Sequence, residues 1–117
     1  MSLGLRSHHC GVLRKEHIGQ TVVLKGWVST RRDHGGVIFV DLRDHSGLVQ
    51  VVFKPDVDTS AHKEADALRT EFVIAIEGQV APRESGNVNP KLDTGEVEVL
   101  TRKLEIFNPS KLFSFEL

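Results

Sequence analysis

Gly26-Trp27-Val28-Ser29-Thr30-Arg31-Arg32-Asp33-His34-Gly35-Gly36-Val37-Ile38-Phe39-Val40-Asp41-Leu42-Arg43-Asp44 reads as two strands joined by a tight basic turn. Side chains alternate between the two faces of a strand. From Val37 to Asp44 that alternation puts Ile38, Val40 and Leu42 on one apolar face and Val37, Phe39, Asp41 and Arg43 on the other. Phe39 thus shares its face with an aspartate and an arginine, beside a turn carrying Arg31 and Arg32. A ring on a wet, basic sheet face is a platform on which a nucleobase can stack.

Asp33-His34-Gly35-Gly36 is predicted as the turn, because paired glycines supply the positive φ it needs. Upstream, residues 21–31 alternate as a first strand with Gly26 inside it. A glycine there suggests a bulge or a sharp bend, and a bent strand can serve two sides of a small barrel. Downstream, Asp44-His45-Ser46-Gly47 is a second turn, and residues 48–54 form a third strand. Val49, Val51 and Phe53 face one way on it, and Leu48, Gln50, Val52 and Lys54 the other. Pro55 ends that strand, and Asp58, Thr59 and Ser60 offer N-cap oxygens. Ala61, Ala65, Leu68 and Phe72 recur at helical spacing, which predicts a short amphipathic helix over 60–70. A fourth strand (72–80), a polar loop (82–93) and a fifth strand (95–101, continuing irregularly to 107) follow.

The order β-β-β-α-β-β predicts an all-β fold, a five-stranded Greek-key OB-fold barrel with one short helix between strands three and four. The face on strands two and three of such a barrel binds oligonucleotides. Another small barrel or part of a β-sandwich is the runner-up. Residues 1–110 read as one domain with its edge at Asn108-Pro109-Ser110, and 111–117 as the start of a linker.

Composition bounds the function. The 117 residues are 39% hydrophobic and 26% charged, which suits one soluble domain with one core. No apolar run approaches the roughly 18–20 residues of a membrane span. The lone cysteine, Cys10, makes no internal disulfide and fits a reducing cytosol. A net charge of −1 weighs against a binder of any nucleic acid, which is usually basic. A single stacking ring among hydrogen-bonding side chains looks instead like selective reading of a few bases. His8-His9-Cys10 is the only run of metal-ligating residue types; neighbours point apart in an extended chain, so no metal site is predicted. Asp41, Asp44 and Glu84 have no activated nucleophile or base beside them, so no catalytic centre is predicted.

Several blocks carry a family likeness: Gly26-Trp27-Val28, Arg31-Arg32-Asp33, 38–44, 47–53 and Gly95-Glu96-Val97-Glu98-Val99. Together they resemble the N-terminal anticodon-binding domain of bacterial aspartyl-tRNA synthetases, over about residues 5–110. Asparaginyl- and lysyl-tRNA synthetases share a looser version. His8-His9-Cys10-Gly11 and Asn87-Val88-Asn89-Pro90 lean toward the bacterial aspartyl branch.

The resemblance implies that Phe39 stacks on the central uridine of the anticodon and that Gln50 reads the same base. It places Arg32 near the bases and Arg31 on the backbone, with Glu98 accepting hydrogen bonds from a guanosine in the first position. It implies that the loop bearing Asn87 and Asn89 closes over the anticodon, with Arg83 adding a phosphate contact. His34 and Gly86 resemble their counterparts in enzymes that charge tRNA-Asn as well as tRNA-Asp. The implied parent is a cytoplasmic, homodimeric ligase that loads aspartate with ATP and Mg2+ in a class II catalytic domain following this one. This stretch would itself hold no cofactor and no catalytic residue, and could be monomeric. The alternatives are a general single-strand-binding OB domain, or the same domain of an asparaginyl- or lysyl-tRNA synthetase.

Overall fold

Five strands close on themselves: β1 (Thr21–His34), β2 (Val37–Asp44), β3 (Gly47–Phe53), β4 (Val73–Pro82) and β5 (Val97–Ile106). The order around the barrel is β1-β2-β3-β5-β4, and β4 pairs back onto β1. All pairs are antiparallel except β3 with β5. One helix, α1 (Thr59–Ala65), lies between β3 and β4. This computed structural model describes residues 5–107; the predicted domain edge at 108–110 and the linker 111–117 lie outside the described residues.

The alternation read from the sequence fills the barrel. Val22, Leu24 and Val28 of β1 meet Ile38, Val40 and Leu42 of β2, with Val49, Val51 and Phe53 from β3. Ile74, Ile76 and Val80 of β4 and Val97 and Val99 of β5 complete the wall. Asp58 caps α1 by accepting from the Ala61 N–H at 2.9 Å. Ala61 and Ala65, with Leu68 beyond the helix, plug the core. The helix is shorter than the predicted 60–70, ending at Ala65. Leu68 and Phe72 lie in the irregular stretch that follows, where Glu71 takes a positive φ of 74° and the Phe72 carbonyl accepts from the Val28 N–H.

The first half of β1 pairs with β4 and the second half with β2, as a bent strand serving two sides must. Of the bulge or sharp bend expected at Gly26, the bulge is not there; β1 changes partner from β4 to β2 at the next residue, Trp27. The register shifts between Val28 and Thr30 instead, so that Ser29 is the extra residue. Gly26 serves close approach: a Cβ on it would stand 2.3 Å from the Arg43 carbonyl oxygen. In the β1–β2 turn Gly35 and Gly36 take φ of 60° and 86°, as predicted.

The segment before β1 is tied down by Asp44. Its Oδ2 accepts from the Cys10 N–H at 2.8 Å, and its Oδ1 accepts from both the N–H and the hydroxyl of Ser46. Burial pushes the Asp44 carboxyl up, but the hydrogen bonds from Ser46 and Cys10 outweigh it and hold the carboxyl at about 2. Gly26→Ala forces its new methyl against backbone that cannot turn aside. It should cost about 2 kcal/mol, the range of an overpacked core, read as a lower urea midpoint at unchanged slope.

Candidate nucleic-acid interface

The shift at Ser29 sets the phase of everything beyond it. Val28 opposes Leu42 inside the barrel, and Thr30 opposes Asp41 outside it. Thr30, Arg32 and His34 therefore share the outer face with Asp41, Phe39 and Val37. Residues in register extend that face across the barrel: Thr30, Asp41, Gln50 and Glu98 form one row, and Arg32, Phe39, Val52 and Leu100 the next.

Hydrogen bonds knit these rows together. Thr30 Oγ1 donates to Asp41 Oδ2 at 2.6 Å, and Arg32 Nη1 reaches the same oxygen at 3.3 Å. Arg32 Nη2 donates to Gln50 Oε1 at 3.3 Å, and Gln50 Nε2 donates to Glu98 Oε1 at 2.9 Å. A flipped Gln50 amide would set donor against donor at Arg32 and acceptor against acceptor at Glu98, so its orientation is fixed by its neighbours. Gln50 is 6% exposed and Val52 fully buried, so the centre of this face is less wet than the sequence suggests.

Arg32, His34, Phe39, Gln50, Arg83 and Asn87 line an open hollow of about 370 Å3. The half-buried Phe39 ring meets the His34 ring edge-on, 5.9 Å between centroids. His62 of α1 holds the turn that carries His34 through a bond to the Gly36 carbonyl at 2.5 Å. Arg83 is pinned by bonds from Nε to the Val97 carbonyl and from Nη1 to the Asn87 carbonyl, while its buried Nη2 has no partner. A buried donor left open on the wall of a hollow is where a ligand acceptor would fit.

The outer face does not gather every residue singled out in the sequence. Arg31 points the other way, because the alternation fixed at Ser29 carries it past Asp41 to the residues after α1. There Nη2 sits 3.6 Å from Asp66 Oδ1, and Arg31 lines a separate hollow with Leu68 and Arg69. Asn89 does not line the main hollow either: its Oδ1 accepts from the Lys91 N–H at 3.0 Å and its N–H bonds the Gly95 carbonyl, the work of a turn residue. Gly86 is exposed beside Asn87, and a Cβ there would meet nothing within 4 Å. The sequence reading left Thr30 unassigned and gave Asp41 no role in holding Arg32. Their place on the Phe39 face was the available signal.

Burial pushes the Glu98 carboxyl up from its ordinary 4.5; the Gln50 hydrogen bond and the Lys54 and Arg83 charges pull it down. Burial likewise lowers the Arg83 guanidinium, against the pull of Asp41 and Glu98. Gln50→Ala removes a donor from Glu98, so its carboxyl should titrate higher still in a 13C NMR titration. A carboxyl raised by folding contributes stability that is full below its unfolded pKa and lost as pH rises through the folded one. The variant should therefore lose more stability than the unsubstituted domain as pH rises past about 4.5.

The chain is 57% identical over 106 residues to the aspartate–tRNA(Asp/Asn) ligase of Desulfatibacillum aliphaticivorans, covering 91% of this chain and 18% of that protein. It is 56% identical over 112 residues to the same-named ligase of Geotalea uraniireducens (strain Rf4), covering 96% and 19%. The chain thus spans about a fifth of the length of these relatives. Among solved structures, asparaginyl-tRNA synthetase from Pyrococcus horikoshii superposes with a TM-score of 0.72 at 30% identity, over 86% of this chain and 23% of that one. The OBody AM2EP06 bound to hen egg-white lysozyme superposes with a TM-score of 0.80 at 25% identity, over 94% of this chain and all of that one. The tRNA_anti-codon family, described as an OB-fold nucleic acid binding domain, matches residues 22–107, and the chain belongs to that family.

Proposed function

We propose that this domain reads the anticodon of tRNA-Asp and tRNA-Asn for an aspartate–tRNA ligase. The observation that carries the reading is Gln50, clamped between Arg32 and Glu98 on the floor of a hollow that also holds the Phe39 ring. With one amide N–H given to Glu98 and one carbonyl lone pair taken by Arg32, Gln50 keeps one donor and one acceptor for a ligand. A uracil edge presents acceptor oxygens and an N–H donor, the complementary pair. Phe39 supplies the stacking surface, worth about 1–3 kcal/mol for a single base.

The remaining wall suits a splayed loop of RNA. The open Nη2 of Arg83 can take a phosphate or base oxygen, and Asn87 can donate or accept beside it. Glu98, held near phosphates at an electrostatic cost, is useful where a guanine N–H meets it. Arg31 has no part in this floor. His34 stands over the Phe39 end of the hollow, where a base next to the stacked one would lie. An imidazole there can serve as donor or acceptor, which suits a third anticodon position that differs between the two tRNAs. The names of the ligase relatives support that pairing.

In the intact ligase, anticodon binding would orient the acceptor end of the tRNA toward a catalytic domain that uses ATP and Mg2+ to activate aspartate. A cytoplasmic, homodimeric enzyme is the setting we assign it. The asparaginyl-tRNA synthetase superposition supports a second reading, the same domain of an asparagine ligase, at lower identity.

Binding to anticodon stem-loops at fixed salt tests the proposal, with loops bearing GUC, GUU and a changed central base, and an unrelated single strand. GUC and GUU should bind alike and the other two at least tenfold more weakly. Phe39→Ala should cost about 1–3 kcal/mol on both cognate loops, and His34→Leu should favour GUC over GUU. Equal binding of all four RNAs would make this a general single-strand binder.

A further inference from the structure

His9, Asp44 and His45 meet at the end of β2 remote from Phe39, and the hollow uses none of them. One ligand-type atom from each lies within 4.8 Å of the other two. His9 Nδ1 is 3.6 Å from Asp44 Oδ2, beyond hydrogen-bond reach. That nitrogen is buried and has no hydrogen-bond partner. The His9 and His45 rings stand edge to face with centroids 4.7 Å apart.

The His9–Asp44 spacing suits a shared cation better than a direct contact. Two ligand atoms each about 2.0–2.2 Å from one tetrahedral metal lie roughly 3.3–3.6 Å apart. Asp44 is already oriented: the Ser46 N–H and hydroxyl both donate to Oδ1, Oδ2 accepts from the Cys10 N–H, and the Cys10 thiol also lies against this carboxylate. His45 is exposed on the β2–β3 turn and can swing its ring. The other members of the His8-His9-Cys10 run already have partners. His8 bonds the Ser7 hydroxyl and packs against His17, and the buried Cys10 thiol faces the Lys25 carbonyl and hydrogen-bonds the Asp44 carboxylate. The fold thus assembles from the β2–β3 turn the ligands that the run itself cannot supply.

We propose that His9, Asp44 and His45 bind one borderline divalent cation, Zn2+ or Co2+, with water completing a tetrahedral shell. Two imidazoles and one carboxylate favour such ions over Mg2+ or Ca2+, which take oxygen ligands. Bound there, the ion staples the segment before β1 to the β2–β3 turn, beside the hydrogen bonds Asp44 already makes. This inference does not depend on which RNA the opposite end of β2 reads.

Titrating Zn2+, Co2+ and Mg2+ into the intact 117-residue protein tests it, with Co2+ visible absorption and thermal midpoint as readouts. Co2+ should give tetrahedral bands at one ion per chain. Saturating Zn2+ should raise the midpoint by about 4 °C or more, and Mg2+ should leave it alone. His45→Ala, on an exposed turn and outside the Asp44 hydrogen bonds, should fold normally and bind at least tenfold more weakly, as should His9→Ala. The double variant His8→Ala, His17→Ala should bind as the unsubstituted protein does. No Co2+ bands and no midpoint shift would overturn the proposal. So would binding that survives His9→Ala and His45→Ala but fails in the His8, His17 double variant.

Discussion

Across the β1–β2 pair, Val28 faces Leu42 and the next aligned pair is Thr30 with Asp41, leaving Ser29 as the unmatched residue. Side-chain direction in a strand has a period of two, so one extra residue turns every later side chain to the opposite face. Before Ser29 the even-numbered Val22, Leu24 and Val28 are in the core; after it the even-numbered Thr30, Arg32 and His34 are outside. Without that shift Arg32 would point into an apolar barrel and Arg31 would take its place over Phe39. The bulge therefore selects which of two adjacent arginines serves the hollow. It also lets β1 keep its core contacts on the β4 side.

Closure of the barrel supplies the other half of the site. The parallel pairing of β3 with β5 sets Gln50 against Glu98, residues far apart in the chain. A buried amide is costly unless its donors and acceptor are matched, and here Arg32 and Glu98 match both ends. The arrangement keeps a half-buried carboxylate and an exposed guanidinium around an open space. Groups held this way are already oriented and partly stripped of water, so an RNA base meets fixed partners. The same closure leaves no free sheet edge between β3 and β5.

Local patterns were enough to read the barrel. Alternation gave the inward faces of β2 and β3, paired glycines gave the β1–β2 turn, and Phe39 stood out because its neighbours on that face are charged. Contacts made through register were not legible. The Ser29 bulge has no glycine to mark it, and Gly26, which looked like the marker, answers to the Arg43 carbonyl instead. Arg31 and Arg32 looked equivalent until that shift separated them. The end of α1 was placed too late because Leu68 falls at helical spacing although it lies beyond the helix, and the positive φ at Glu71 has no residue-type signal. Asn89 was expected among the base readers, and its side chain closes a turn with the Lys91 N–H. His9 was read only with its chain neighbours His8 and Cys10, and the fold brings Asp44 and His45 to it.

The central claim is that RNA bases are read on the outer face of β1–β3, around Gln50. NMR mapping of the labelled domain, titrated with a GUC stem-loop, tests it most directly. The account predicts that the largest shifts fall on the Gln50 side-chain amide, the Phe39 ring and the Arg83 guanidinium, with β4 and the α1–β5 side unchanged. Shifts concentrated instead around Arg31 and Asp66, or along the groove lined by Leu104 and Ile106, would contradict it.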